Sequence, residues 1–189
     1  MCKKMIEMKK LAFVMVVTLL MSFNSIAQQI NWVTFEEALE LQKKTPKKIM
    51  MDVYTNWCGP CKMLDKNTFQ NSDVAKYVND NYYAVKFDGE GNDVIKYKGN
   101  TYANKNYKPE MASRRNSVHD LTLALQVNAY PTIMFFDEKG DVITPLRGYQ
   151  NPQQLELYLK MFRTDKHKEI KTQEDFNVFF TAFKPEFKG

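Results

Sequence analysis

The chain has 189 residues, 44% of them apolar, enough for one domain with a real core and at most some decoration. Its formal charge is +5, but Lys3, Lys4, Lys9 and Lys10 against Glu7 place +3 of it in the first ten residues and leave +2 for the rest. So small an excess argues for no polyanion partner and gives no support to a nucleic-acid role.

Residues 1–27 read as a secretory signal. The lysines form its n-region, Leu11 to Met21 an apolar h-region, and Ser25-Ile26-Ala27 supplies the small residues that a signal peptidase reads. The apolar run is short for a membrane span, and an uncleaved anchor is the alternative. Cleavage after Ala27 removes Cys2 and leaves Cys58 and Cys61 as the only cysteines. In an exported chain, a single close pair reads as a redox motif, not a stabilising framework.

Further along, Thr34-Phe35-Glu36-Glu37 has the pattern of a capping box opening a helix to about Lys44, with Phe35, Ala38, Leu39 and Leu41 as its apolar side. Pro46 ends it, and Ile49 to Tyr54 reads as an apolar strand. That strand delivers Asn56-Trp57-Cys58-Gly59-Pro60-Cys61-Lys62, where Gly59 and Pro60 suit the first turn of a helix running to about Thr68. Met63 and Leu64 are expected to face inward. Asn71-Ser72-Asp73 caps a second helix over Val74 to Asn79, and Tyr82 to Asp88 forms the next strand.

Residues 89–118 hold a hairpin signal, Gly99-Asn100 between Val94–Lys98 and Thr101–Asn104, then a polar, basic stretch (Lys105 to Ser117) with no assigned structure. A helix is expected near His119 to Val127, a buried strand at Ile133 to Phe136, a turn at Asp137 to Gly140, and an edge strand at Val142-Ile143, where Pro145 is tolerated. Asn151-Pro152 opens a helix carrying Leu155, Leu157, Tyr158, Leu159 and Phe162. A charged linker, Thr164 to Lys171, leads to a capped helix with Phe176, Phe179, Phe180 and Phe183 at helical spacing. These phenylalanines are expected to pack the extra helix onto the domain, with a partner-binding face as the alternative.

The chemistry sits at the cysteines. Cys58 lies at the positive end of its helix, which favours a thiolate, and Cys61, one turn inside, is near enough to close a short disulfide. Attacking thiolate and resolving thiol are what thiol–disulfide exchange requires. A zinc site would need two more ligands, and the chain offers only His119 and His167, neither in a ligand pair. Haem attachment fails because Lys62 stands where a histidine is required. No metal and no cofactor beyond the Cys58–Cys61 pair is called for. Asp52, in an otherwise apolar strand, is expected to have a raised pKa and to accept a proton from Cys61; a solvent-facing carboxylate is the alternative.

Trp57-Cys58-Gly59-Pro60-Cys61-Lys62 resembles the active site of the thioredoxin family at every position. Asp52 resembles the family's buried acid, Lys86 its lysine on the neighbouring strand, and Tyr130-Pro131-Thr132 its cis-proline segment. The likeness runs from about Ile49 to Phe162, interrupted by the insertion 89–118. It implies an α/β fold: a central mixed β-sheet flanked by helices, with that insertion before the cis-proline segment and an extra C-terminal helix. The domain is expected over 28–163, with linker and helical extension over 164–189. The resemblance implies Cys58, Cys61 and Asp52 as catalytic residues, with Trp57, Gly59, Pro60 and Lys86 in support. It also implies that Tyr130 and Pro131 present backbone to a substrate strand, although Tyr130 departs from the small aliphatic residue usual there. The exported setting is similar to that of the thioredoxin-related proteins of bacterial envelopes, so a periplasmic monomer is expected. Its partners would be disulfide-containing clients and a membrane or envelope electron donor. A reductase is the first reading; an oxidase or isomerase on the same scaffold and a binding or assembly module are the alternatives.

Overall fold

An almost unbroken apolar run makes a strand that must be covered on both faces, which puts it in the middle of a sheet. In a computed structural model that describes residues 29–189, the strand around Asp52 is in that place. Residues 1–28, with the expected signal segment and Cys2, lie outside the described residues. The chain runs through β1 (Trp32–Val33), α1 (Phe35–Lys44), β2 (Lys48–Tyr54), α2 (Gly59–Leu64), a π turn (Asp65–Phe69), α3 (Ser72–Asn81) and β3 (Tyr82–Asp88). A hairpin of β4 (Ile95–Tyr97) and β5 (Asn100–Tyr102) and a 3₁₀ turn (Pro109–Met111) fill the insertion. Then come α4 (Asp120–Ala124), β6 (Thr132–Phe136), β7 (Val142–Arg147), α5 (Pro152–Arg163), a 3₁₀ turn (Lys166–Lys168) and α6 (Gln173–Ala182).

The five-stranded sheet has the order β1-β3-β2-β6-β7, parallel between β1, β3 and β2 and antiparallel between β2, β6 and β7. Strand alternation divides β2 between two cores. Met50 joins Leu64, Val74, Val78, Ile133, Phe135, Leu155 and Phe162 on the face covered by α2, α3 and α5. Ile49, Met51 and Val53 join Phe35, Ala38, Leu121 and Phe136 on the other face, covered by α1 and α4. This is the mixed sheet flanked by helices of a thioredoxin-like fold. Pro145 sits in β7, an edge strand, opposite Met134, where its missing N–H disturbs no second partner.

Local details depart from the expectations where tertiary contacts intervene. Thr34 accepts from the Glu37 amide at 3.2 Å, but Glu37 does not reach back, so the capping box is half formed. Gln42, not Leu41, is buried on α1, donating to the carbonyls of Lys47 and Asp137. Met63 is 53% exposed while Leu64 is fully buried, because Leu64 lies one turn past buried Cys61 on the same face of α2 and Met63 does not. The hairpin turns on Lys98-Gly99, one residue before the expected Gly99-Asn100. Both take positive φ (48° and 77°), and Asn100 pairs with Tyr97. Helix α4 stops short of Val127 because Gln126 enters the left-handed region, with φ 56°. The returning strand runs to Arg147, four residues beyond Ile143.

The C-terminal extension is fastened in two places. Asp165, left-handed with φ 58°, and Glu138 pair with the ammonium of Lys48, whose side chain is 2% exposed. Burial opposes the charge of Lys48, yet the two carboxylates outweigh it and leave its pKa raised. Beyond α6, where Phe176 and Phe179 face the core and Phe180 is 57% exposed, the tail folds back. There the fully buried carboxylate of Glu156 accepts from the amides of Glu186 and Phe187 and pairs with Lys160. Two charge-assisted bonds and one ion pair thus converge on one carboxylate. Glu156→Ala should cost about 2–3 kcal/mol in urea unfolding and speed amide exchange at Glu186 and Phe187. Unchanged exchange there would mean that the tail is held by Phe187 against Tyr77 instead.

Candidate active site

Cys58 follows the end of β2 and caps α2: the amide of Cys61 donates to its Sγ at 3.1 Å, and Pro60 lies in the first turn. Cys58 and Cys61 form a disulfide with an S–S distance of 2.08 Å and Cα atoms 5.3 Å apart. Both residues are nearly buried, at 2% and 5% exposure. A side chain added at Gly59 would meet nothing within 4 Å, so the surface over the pair is open. When the pair is reduced, a backbone N–H aimed at Sγ favours the thiolate of Cys58, while Cys61 shares a cavity with a carboxylate.

That carboxylate is Asp52, 1% exposed, with Oδ1 lacking a hydrogen-bond partner among the described residues. Burial raises its pKa to about 7; Lys86 opposes the rise and Asp65 adds to it. The register explains the trio. Asp52 pairs with Lys86 across the parallel β2–β3 ladder, and Lys86 forms an ion pair with Asp65. Asp65 lies four residues past Cys61, on the same helical face, a spacing that would have disclosed it from sequence. The Lys86 ammonium also sits over the rings of Trp32 and Tyr54, at 5.2 and 5.4 Å. A cavity of about 120 Å³ is lined by Asp52, Thr55, Cys61, Asp65 and Lys86. It has room for water between the carboxyl and the sulfur, so a proton can pass without direct contact.

The rim is built largely from residues distant in sequence. Trp57 is half-buried, its ring edge-on to Tyr130 with centroids 6.1 Å apart. The Tyr130–Pro131 peptide is cis. The Tyr130 ring lies against Gly89, where any Cβ would come within 2.7 Å of it. Burial, then Glu90 and Asp88, raises the pKa of Tyr130, so it stays a neutral phenol. Trp57 Nε1 donates to Glu90 at 2.8 Å, and the Arg115 guanidinium lies 4.5 Å from its ring centroid. Asn56 donates to Asp88 and to the Ala112 carbonyl. The structure thus brings Asp52, Trp57, Cys58, Cys61, Lys86 and Tyr130 together, and it adds Asp65, Glu90 and Arg115. No spacing signal could place Glu90 and Arg115, which reach the site only through the folding of the insertion.

Residues 35–163 match the thioredoxin-like domain family, and the chain belongs to it. One relative is the thiol:disulfide interchange protein DsbD of Pectobacterium atrosepticum, 28% identical over 121 residues. The match covers 63% of this chain but only 17% of that protein. Another is the thioredoxin-like protein slr0233 of Synechocystis, 25% identical over 128 residues, covering 68% of this chain and 93% of the relative. Among solved structures, a thioredoxin-fold protein from Helicobacter pylori superposes with a TM-score of 0.51 at 20% identity, over 72% of this chain and 81% of that one. Family, disulfide and relatives together support thiol–disulfide oxidoreductase chemistry as the class.

The raised pKa of Asp52 has a consequence for stability. The folded state holds this proton more tightly than the unfolded chain does. The associated stability is therefore present in acid and is lost as pH rises through about 7. From about pH 4 to pH 8 the oxidised protein should lose on the order of 4 kcal/mol more than Asp52→Asn, measured by urea unfolding. Parallel pH dependences would place the Asp52 pKa in the ordinary carboxylate range.

Proposed function

We propose that this protein is a thiol–disulfide oxidoreductase of a bacterial envelope that reduces disulfides in exported client proteins, with Cys58–Cys61 as its redox group. The observation that carries the reading is the joining of this pair at a helix start to a buried carboxyl whose pKa lies near neutrality. In the reduced enzyme the Cys58 thiolate attacks a client disulfide, forming a mixed disulfide and releasing one client thiolate, which takes up a proton. Asp52 accepts the Cys61 proton through the cavity, and the Cys61 sulfur attacks Cys58. The second client thiolate leaves and is protonated in turn, and Cys58–Cys61 is a disulfide again. Two electrons have passed to the client, and a dithiol donor in the membrane or envelope must return them. Tyr130 and Pro131 present backbone to the client strand, while Lys86 and Asp65 set the charge felt by Asp52.

The envelope setting rests on the signal pattern of residues 1–27 and on the family's thiol:disulfide interchange members. The reducing direction rests on Gly59-Pro60 between the cysteines. No histidine there over-stabilises the thiolate, and an over-stabilised thiolate is what makes a strong oxidant. Insulin reduction that disappears in Cys58→Ser tests the activity, and equilibration with glutathione buffers tests the direction. A potential near those of strong periplasmic oxidants would reverse the direction.

Asp52 acts only in the second step. Asp52→Ala should therefore leave mixed-disulfide formation unchanged and slow its release about tenfold or more near neutral pH. The apparent pKa of release should rise in Lys86→Met and fall in Asp65→Asn, because these charges lower and raise that of Asp52 respectively. Single-turnover kinetics with a release rate indifferent to all three substitutions would remove Asp52 from the proton path.

A further inference from the structure

The insertion is a fixed wall at the edge of the disulfide. Asn104, buried, donates to the carbonyls of Glu90, Gly91 and Ser117. His119, fully buried, accepts the Leu121 amide at Nδ1, so its Nε2 carries the proton and donates to the Asp93 carbonyl at 2.8 Å. Ile95 and Tyr97 bury the hairpin against Phe35. Glu90 then accepts from both Trp57 Nε1 and the Asn116 amide, at 2.8 and 2.7 Å, tying the wall to the residue before Cys58. Both bonds go to Oε2 of a carboxylate that is 8% exposed.

What the wall does present is positive. Lys105, Lys108, Arg114 and Arg115 are exposed, and none makes a salt bridge among the described residues. The one carboxylate among residues 105–117 is Glu110. Arg115, stacked on Trp57, forms one side of a cavity of about 390 Å³ whose other lining includes Lys108, Glu110, Met111 and Asn116, so two cations there outnumber one carboxylate. Stacking leaves the edge of the guanidinium fork free for a carboxylate, the geometry for which arginine is suited.

We propose that this cavity is a client subsite that selects acidic side chains next to the disulfide to be reduced. The occupant is an extended client segment lying across Trp57 with a Glu or Asp toward Arg115 and Lys108. This rests on the oxidoreductase reading for the identity of the occupant. The recognition itself rests on the unpaired cations, the cavity and the Trp57–Arg115 stack.

The test uses three dye-labelled peptides that share one disulfide and backbone, with Glu, Gln or Lys flanking the cysteines. Binding to the oxidised protein is read by fluorescence anisotropy, and reduction by the dithiothreitol-reduced protein is read as kcat/KM. The Glu peptide should bind roughly five- to tenfold more tightly than the Lys peptide at low salt, and the gap should close at high salt. Arg115→Glu should abolish or invert the ratio. Lys108→Glu, which does not touch Trp57, should move it the same way, and Lys43→Glu on α1 should not. Ratios taken within one variant cancel any loss of active protein. Equal affinities for the Glu and Lys peptides, or a ratio indifferent to both substitutions in the wall, would overturn the subsite. If no peptide is reduced, the oxidoreductase reading falls, while the binding ratio still decides whether the wall selects acidic segments.

Discussion

A carboxyl group in a dry strand is tolerated only if something nearby sets its charge, and that constraint organises the redox end of this molecule. Strand β2 is central, with a neighbour on each side and a core on each face, so Asp52 has no route to bulk solvent along the strand. Burial disfavours its charge, and what the parallel register with β3 brings alongside to oppose that is Lys86. Lys86 is itself divided between Asp65 and the faces of Trp32 and Tyr54. The cation is therefore close enough to moderate Asp52 but not committed to it. A committed ion pair would hold Asp52 ionised and unable to alternate between proton donor and acceptor around neutrality.

The insertion follows a different logic. Apart from Ile95 and Tyr97, it is held by polar groups satisfied one against another: Asn104 against three carbonyls, Glu90 against an indole and an amide, and, just past it, His119 against two backbone groups. Networks of this kind hold one geometry because any other leaves a buried donor or acceptor unpaired. That suits a surface beside a reactive disulfide, where hydrophobic fastening alone would permit several packings.

Most of the frame was legible in the residues. The buried strands announced themselves by β-branched and aromatic runs, and Tyr82–Asp88 has the bounds its pattern implies. The cysteine spacing gave the disulfide. Less legible were features set by residues far apart in sequence. Met63 and Leu64 both read as inward, yet only Leu64 shares the buried face of Cys61, because the short helix α2 has one covered side. The hairpin turn shifted by one residue because positive φ at two consecutive positions was met by Lys98 and Gly99. The stretch before α6 looked like a charged linker, yet Asp165 is one of the two carboxylates that neutralise Lys48, which reads in sequence as an ordinary surface lysine. At the site, the second half of the rim was invisible because Glu90 meets Trp57 and Asn116 meets Glu90 across sequence separations of 33 and 26.

Strand β2 has two occupied ends. Lys48 opens it and anchors the C-terminal extension through Asp165; Tyr54 closes it shortly before the disulfide. Four steps of extended chain, roughly 13 Å, separate Lys48 from Asp52, and the proton affinity of Asp52 is set by burial, Lys86 and Asp65. The fastening of the extension and the charge balance of the redox pair therefore draw on different charged partners, although one strand carries both. A graft, truncation or charge reversal at the Lys48 end can retune how tightly the chain is held together without shifting the proton affinity of Asp52. Endurance and chemistry can accordingly be altered separately in this protein.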